Sequence, residues 1–176
     1  MSRLFYNEAF EFYSKHIYRT DFFNILSEHG FSITGSIPSI AWELFGAILT
    51  GKQGSSGYGA DLEGFEVKSA KEKSSFEYQY HLHTGLSKLR EDMTVKHLFC
   101  SYESSYNGVK VYVVEGIDLS EYFSKWEPLY EENYAVKDPT KRKQRFRKSI
   151  AYGAVIKKGK LVMEIKDGLL IYTASL

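Results

Sequence analysis

The chain has 176 residues, 43% apolar and 16% aromatic, enough to fill the core of one domain and to exclude a globally disordered chain. A single cysteine, Cys100, excludes an intrachain disulfide framework and a thiolate zinc cluster; with a charged N-terminal segment and no run of about 20 apolar residues, a soluble cytoplasmic protein without a membrane span is expected. The net charge of +1 hides an asymmetry: residues 118–132 carry five acids against Lys125, and residues 137–148 carry seven bases against Asp138, a block that either meets phosphates or stays solvated.

In chain order, the spacing of Phe5, Phe12 and Tyr13 predicts a helix from Leu4 to about Tyr18, and Thr20 or Asp21 can cap a second helix ending at Gly30. A third helix is expected from Pro38 to Leu49, with Ile40, Leu44, Ala47 and Ile48 as its apolar stripe and Gly51 as its stop. The glycine-rich segment 51–59 has no apolar period and reads as a flexible connection. Phe65 and Val67 alternate with Glu66 and Lys68, the signature of a strand with two unlike faces. His81 and His83, two apart, are expected on one face of a further strand; they lack the partners that a zinc site needs.

Strands at 96–103 and 109–114 flank the hairpin signal Asn107-Gly108. Asp118 with Glu121 suggests a capping box for a helix that buries Leu119, Tyr122, Phe123 and Trp126 and that Pro128 limits. Strands are expected at 150–156, 161–165 and 169–173, separated by KKGK and KDG turns. The whole is α/β (α+β), one domain over 1–176: a helical part at 1–35, a core at 36–115, and a helix, basic tract and strands at 116–176.

The chemistry concentrates at Asp61, Glu66 and Lys68. Glu66 and Lys68 leave one face of their strand, and Asp61, before a glycine-containing bend, can be brought beside Glu66. Two carboxylates at the end of a strand make an oxygen site for Mg²⁺, and a neighbouring ammonium can orient water and steady charge on a phosphate. The alternative is the solvated face of an edge strand.

The pattern D-x(4)-E-V-K after a glycine-rich loop and a helix carrying Glu43 resembles the PD-(D/E)xK nuclease superfamily, with Ala60 standing where the motif's name has proline. Residues 35–70 carry the likeness, which is to MutH-like enzymes and to small homodimeric, PvuII-like type II restriction endonucleases. The resemblance implies a mixed central sheet flanked by helices and Mg²⁺-dependent, sequence-specific hydrolysis of double-stranded DNA leaving 5′-phosphates. Asp61, Glu66 and Glu43 are then the metal-site residues, and Lys68 the residue that orients the water. His81 and His83 are expected to face the DNA groove. Lys71 and Lys73 are candidate phosphate contacts, and Lys141, Arg142, Lys143, Gln144, Arg145, Arg147 and Lys148 candidates for phosphate clamping or base reading.

One active site per chain and two strands to cut imply a homodimer on a palindromic site, with the first helices or the helix near Trp126 as candidate interfaces. A cognate DNA methyltransferase is the implied functional partner. A repair, recombination or nicking nuclease of the same fold, or a non-catalytic nucleic-acid-binding module, are the alternatives.

Overall fold

Alternating side chains divide the apolar residues of the strands between two cores, one on each side of a mixed sheet. The computed structural model describes residues 3–55, 57 and 59–174. The helices are α1 (Tyr6–Phe12), which runs on as a π-helical turn over Tyr13–Ile17, α2 (Thr20–Glu28), α3 (Ser39–Thr50), α4 (Gly85–Glu91), α5 (Gly116–Ala135) and α6 (Tyr152–Lys158). The strands are β1 (Phe65–Lys71), β2 (Phe76–Tyr80), β3 (Lys96–Tyr102), β4 (Val109–Glu115), β5 (Phe146–Ile150), β6 (Lys160–Lys166) and β7 (Leu169–Thr173). Five of them form the main sheet in the order β1-β3-β4-β6-β7, with β1 parallel to β3 and the other neighbours antiparallel. β2 and β5 pair separately as an antiparallel two-stranded ribbon. The protein is therefore mixed α/β, a mixed sheet flanked by helices.

Phe65, Val67, Leu98, Cys100, Val111 and Val113 join Ala9, Tyr13, Ile17, Phe23, Phe45 and Leu49 in one core, beneath the N-terminal helices. Phe99, Tyr112 and Val114 join Tyr78, Tyr80, Leu89, Phe123, Trp126, Phe146 and Val155 in the other, beneath α4–α6 and the ribbon. Glu66 and Lys68 belong to this second face of β1, in register with His97 and Phe99 of β3. β1 is an edge strand, but this face of it is covered rather than solvated, against the alternative reading: Glu66 is fully buried.

The buried side of α3 differs from the expected one. Ile40 is 63% and Leu44 49% exposed, whereas Trp42, Phe45, Gly46 and Leu49 are buried. Gly46 selects this face, because a Cβ there would lie 2.9 Å from Val67 Cγ2 and 3.0 Å from Leu98 Cδ2. The helix can thus press its backbone onto β1 and β3, which hydrophobicity alone does not foresee. Gly51 ends α3 with φ +66, the left-handed conformation that glycine adopts freely.

Several local expectations also change. Arg19 is the N-cap of α2, so neither Thr20 nor Asp21 caps it. Glu115 precedes α5, and Asp118 lies inside its first turn without a capping bond. Pro128 does not end α5, which continues to Ala135; Pro128 and Ser124 are both exposed, so water reaches the carbonyl that proline leaves unpaired, and buried Trp126 and Tyr130 hold the helix on either side. The β3–β4 connection places its left-handed residue at Tyr106, φ 59, with Gly108 O accepting from Glu103 N–H at 2.9 Å. The expected strand at 150–156 is instead the end of β5 followed by α6, a short apolar run that period alone cannot assign. β2 stops at Tyr80, so His81 and His83 lie in the turn that follows, not on a strand.

Candidate active site

The glycine-rich segment delivers Asp61 to the start of β1 by a chain of backbone bonds. Ser55 N–H donates to Asp61 O at 2.9 Å, Glu63 N–H to Gln53 O at 3.1 Å, and Leu62 and Phe65 bond each other around Gly64, whose φ is +77. Buried Leu62 anchors the turn. Asp61 Oδ2 then accepts the Val67 N–H at 2.9 Å, and Asp61 N–H lies 3.3 Å from Glu66 Oε2.

Glu66 is held between two ammonium groups. Lys68 Nζ bonds its Oε1, and Lys88 Nζ, from α4, bonds its Oε2 at 2.8 Å. Lys68 also lies 5.0 Å from the centre of the Tyr78 ring. Lys88 donates to Gly59 O at 3.1 Å as well, and Glu91, on the same helix, accepts the Ala60 N–H at 3.0 Å. A single short helix thus grips the backbone on both residues before Asp61.

Beneath Glu66 lies a second buried carboxylate, Asp92. Its Oδ2 accepts from Tyr80 OH at 2.7 Å, its Oδ1 is buried without a hydrogen-bond partner, and Lys88 Nζ stands 3.9 Å from that oxygen. Buried His97 meets the Asp92 carbonyl through Nε2 at 2.7 Å and Tyr78 OH through Nδ1 at 2.8 Å. A carbonyl only accepts, so Nε2 carries the proton and Tyr78 donates to Nδ1. Burial holds His97 neutral, its pKa lowered to about 4.

Three carboxylates therefore face two ammonium groups. Burial, reinforced by the charge of Glu66, raises Asp61 to about 6 and Asp92 to about 7. Burial also opposes ionisation of Glu66, but Lys68 and Lys88 outweigh it and hold that group below the usual carboxylate range. For Lys68, burial disfavours the charge, while Glu66 and Asp61 more than restore it. Above the raised values of Asp61 and Asp92 the three carboxylates outnumber the two ammonium groups, the condition under which a cation is attracted. Among the described residues no set of three or more His, Cys, Asp or Glu side chains forms a ready-made metal cage. Two carboxylates fit Mg²⁺ all the same, because that ion keeps several waters and takes one or two carboxylates plus substrate oxygens.

Asp61, Glu66 and Lys68 open onto a cleft of about 480 Å³ that Glu43, Gln79, His81 and Lys88 also line. Glu43 is half-buried there on α3. His83 and Gln144 share a neighbouring groove with His81. Lys141, Arg142, Lys143 and Lys148 line a surface beside the end of α5. Its backbone is fixed: Asn133 exchanges two hydrogen bonds with Lys143, at 3.0 and 2.9 Å, and Tyr134 OH donates to Gln144 O at 3.2 Å. Arg145 is exposed, and Arg147 stands opposite Gln79 on the outer face of the ribbon, 3.8 Å from Glu77. Lys71 closes β1 at the end far from Asp61 and Lys73, with φ 67, lies just beyond it; neither lines the cleft.

Lys88, Glu91 and Asp92 are site residues that sequence reasoning missed. The only signal is the i, i+4 spacing of Lys88 and Asp92, which reads equally as a surface ion pair. Neither a family model nor a curated protein matches the chain.

Proposed function

We propose that the protein is a Mg²⁺-dependent type II restriction endonuclease of the PD-(D/E)xK fold, cutting double-stranded DNA to leave 5′-phosphates. The observation that supports this is the convergence of Asp61 and Glu66 with Lys68 at the start of β1, in a cleft that Glu77 and Gln79 of the ribbon also line. Asp61 and Glu66 would hold the metal, with Glu43, which lines the same cleft, as a further candidate ligand. Mg²⁺, when bound, offsets the negative charge that grows on the phosphate. Lys68 orients the attacking water and shares that charge, while the Tyr78 ring and Glu66 fix its ammonium. Lys141, Arg142, Lys143 and Lys148, which line one surface, are assigned to phosphate contacts, and Arg147, Gln144, His81 and His83 to the bases. Cutting both strands calls for a homodimer, and protection of the host DNA for a cognate methyltransferase.

The test is digestion of an unmethylated plasmid of known sequence with Mg²⁺, beside EDTA and the Glu66→Gln variant. Discrete fragments whose sequenced ends share one site are expected. Intact plasmid with the wild-type protein at every divalent ion tried would overturn the proposal.

A further inference from the structure

Both oxygens of Glu66 are engaged by ammonium groups, so a dication reaches that carboxylate only where one lysine yields. The two lysines are not equivalent. Lys68 shares β1 with Glu66 and is seated over the Tyr78 ring. Lys88 comes from another element, and a second carboxylate oxygen, Asp92 Oδ1, stands 3.9 Å from its ammonium. That oxygen is buried and has no hydrogen-bond partner, an unusual condition for so polar an atom. The Lys68 and Lys88 side chains each retain 17% of their exposure and line the cleft, and Gly59 O also accepts from Lys88, so what singles out Lys88 is the second carboxylate oxygen within its reach.

We propose that Lys88 is a displaceable counter-ion: it neutralises Glu66 in the metal-free protein and turns to Asp92 Oδ1 when a divalent cation takes Glu66. Lys88 is in this sense a positioning residue, and Asp92, which touches neither metal nor DNA, provides its second berth. The pair keeps the carboxylates from repelling one another before the ion arrives and keeps the ammonium from being stranded afterwards. This rests on the nuclease reading, since it needs Glu66 to be a metal ligand.

Charge alone gives the two residues opposite effects on cation binding, so the coupling between them is what tests the proposal. The experiment is calorimetric titration of Mn²⁺ into the full-length, DNA-free protein at pH 8. Lys88→Met, which removes the competitor but keeps the stem, is expected to bind Mn²⁺ about tenfold tighter than wild type. Asp92→Asn, which keeps an acceptor for Tyr80 but weakens the berth, is expected to bind about tenfold weaker, and in the Lys88→Met background the same change is expected to matter less than about twofold. Thermal melts establish folding, and Lys88→Gln replaces Lys88→Met where the latter fails to fold. Unchanged or weaker binding in the lysine variants, or an equal effect of Asp92→Asn in both backgrounds, overturns the proposal. Failure of the nuclease reading looks different: Glu66→Gln then binds Mn²⁺ as well as wild type, or wild type does not bind at all, and the counter-ion role falls with it.

Discussion

Tyr80 donates its phenolic hydrogen to Asp92 Oδ2 at 2.7 Å, with both side chains fully buried. A tyrosine is thereby committed to an acid that burial already disfavours in its charged form.

That placement sets the pH dependence of stability. Asp92, raised to about 7, and Asp61, raised to about 6, hold protons more tightly folded than unfolded. Their contribution is complete below the unfolded carboxylate range and is lost as pH rises through the folded values. Glu66, lowered by its lysines, works the other way only under more acid conditions. His97, lowered to about 4, works the other way between pH 5 and pH 8, since keeping it neutral costs stability at pH 5 and not at pH 8; the two raised acids outweigh it. Metal-free protein is therefore expected to lose on the order of 2 kcal/mol of stability between pH 5 and pH 8. Denaturant unfolding at the two pH values checks this, and Asp92→Asn is expected to flatten the difference; a wild-type protein more stable at pH 8 contradicts it.

Asp61→Asn and Glu66→Gln are each expected to slow cleavage by at least about a hundredfold, roughly 2.7 kcal/mol of transition-state stabilisation. DNA binding without metal is expected to persist or tighten, because a negative charge near the phosphate is gone. Rates within tenfold of wild type in either variant would remove these two residues from the metal site.

Lys68→Ala and Lys68→Arg are both expected to lose activity by about a hundredfold or more. Alanine leaves the phosphate charge unbalanced; arginine keeps the charge but is bulkier, planar and a poor proton donor. Cleavage rates and melting of the same two proteins separate a lost function from a lost fold, and full activity in Lys68→Ala refutes the assignment.

Lys141, Lys143 and Lys148 replaced together by alanine are expected to weaken binding to every DNA sequence alike and to flatten the salt dependence by about one unit per lost contact. Arg147→Ala is expected instead to relax the choice of base at one position. Fluorescence anisotropy across a salt series measures the first and digestion of a site library the second. An unaltered salt slope in the triple variant shows a tract that is merely solvated.

The chain spacing of Asp61, Glu66 and Lys68 was legible because strand alternation and a glycine turn are local matters. Burial of Glu66 was not, because it depends on α4, which follows β2 in the chain, returning to β1 through Lys88. The same holds for α3: Ile40 and Leu44 repeat at helical spacing yet are exposed, because the face that packs is the one where Gly46 permits close approach to Val67. Lys88 and Asp92 resembled an ordinary helical ion pair, and only the strand beneath them turns that pair toward chemistry. Pro128 misled because proline's cost depends on whether water reaches the freed carbonyl.

β1 closes one side of the main sheet, and a strand in that position offers unpaired amides to any passing chain. At Val67 that invitation is withdrawn, since the Asp61 carboxylate already occupies the amide that a docking strand would need. The acid assigned to the metal thus also guards the molecule against edge-to-edge self-association, and a carboxylate-free variant at position 61 that cannot accept this bond carries an aggregation hazard independent of any lost catalysis.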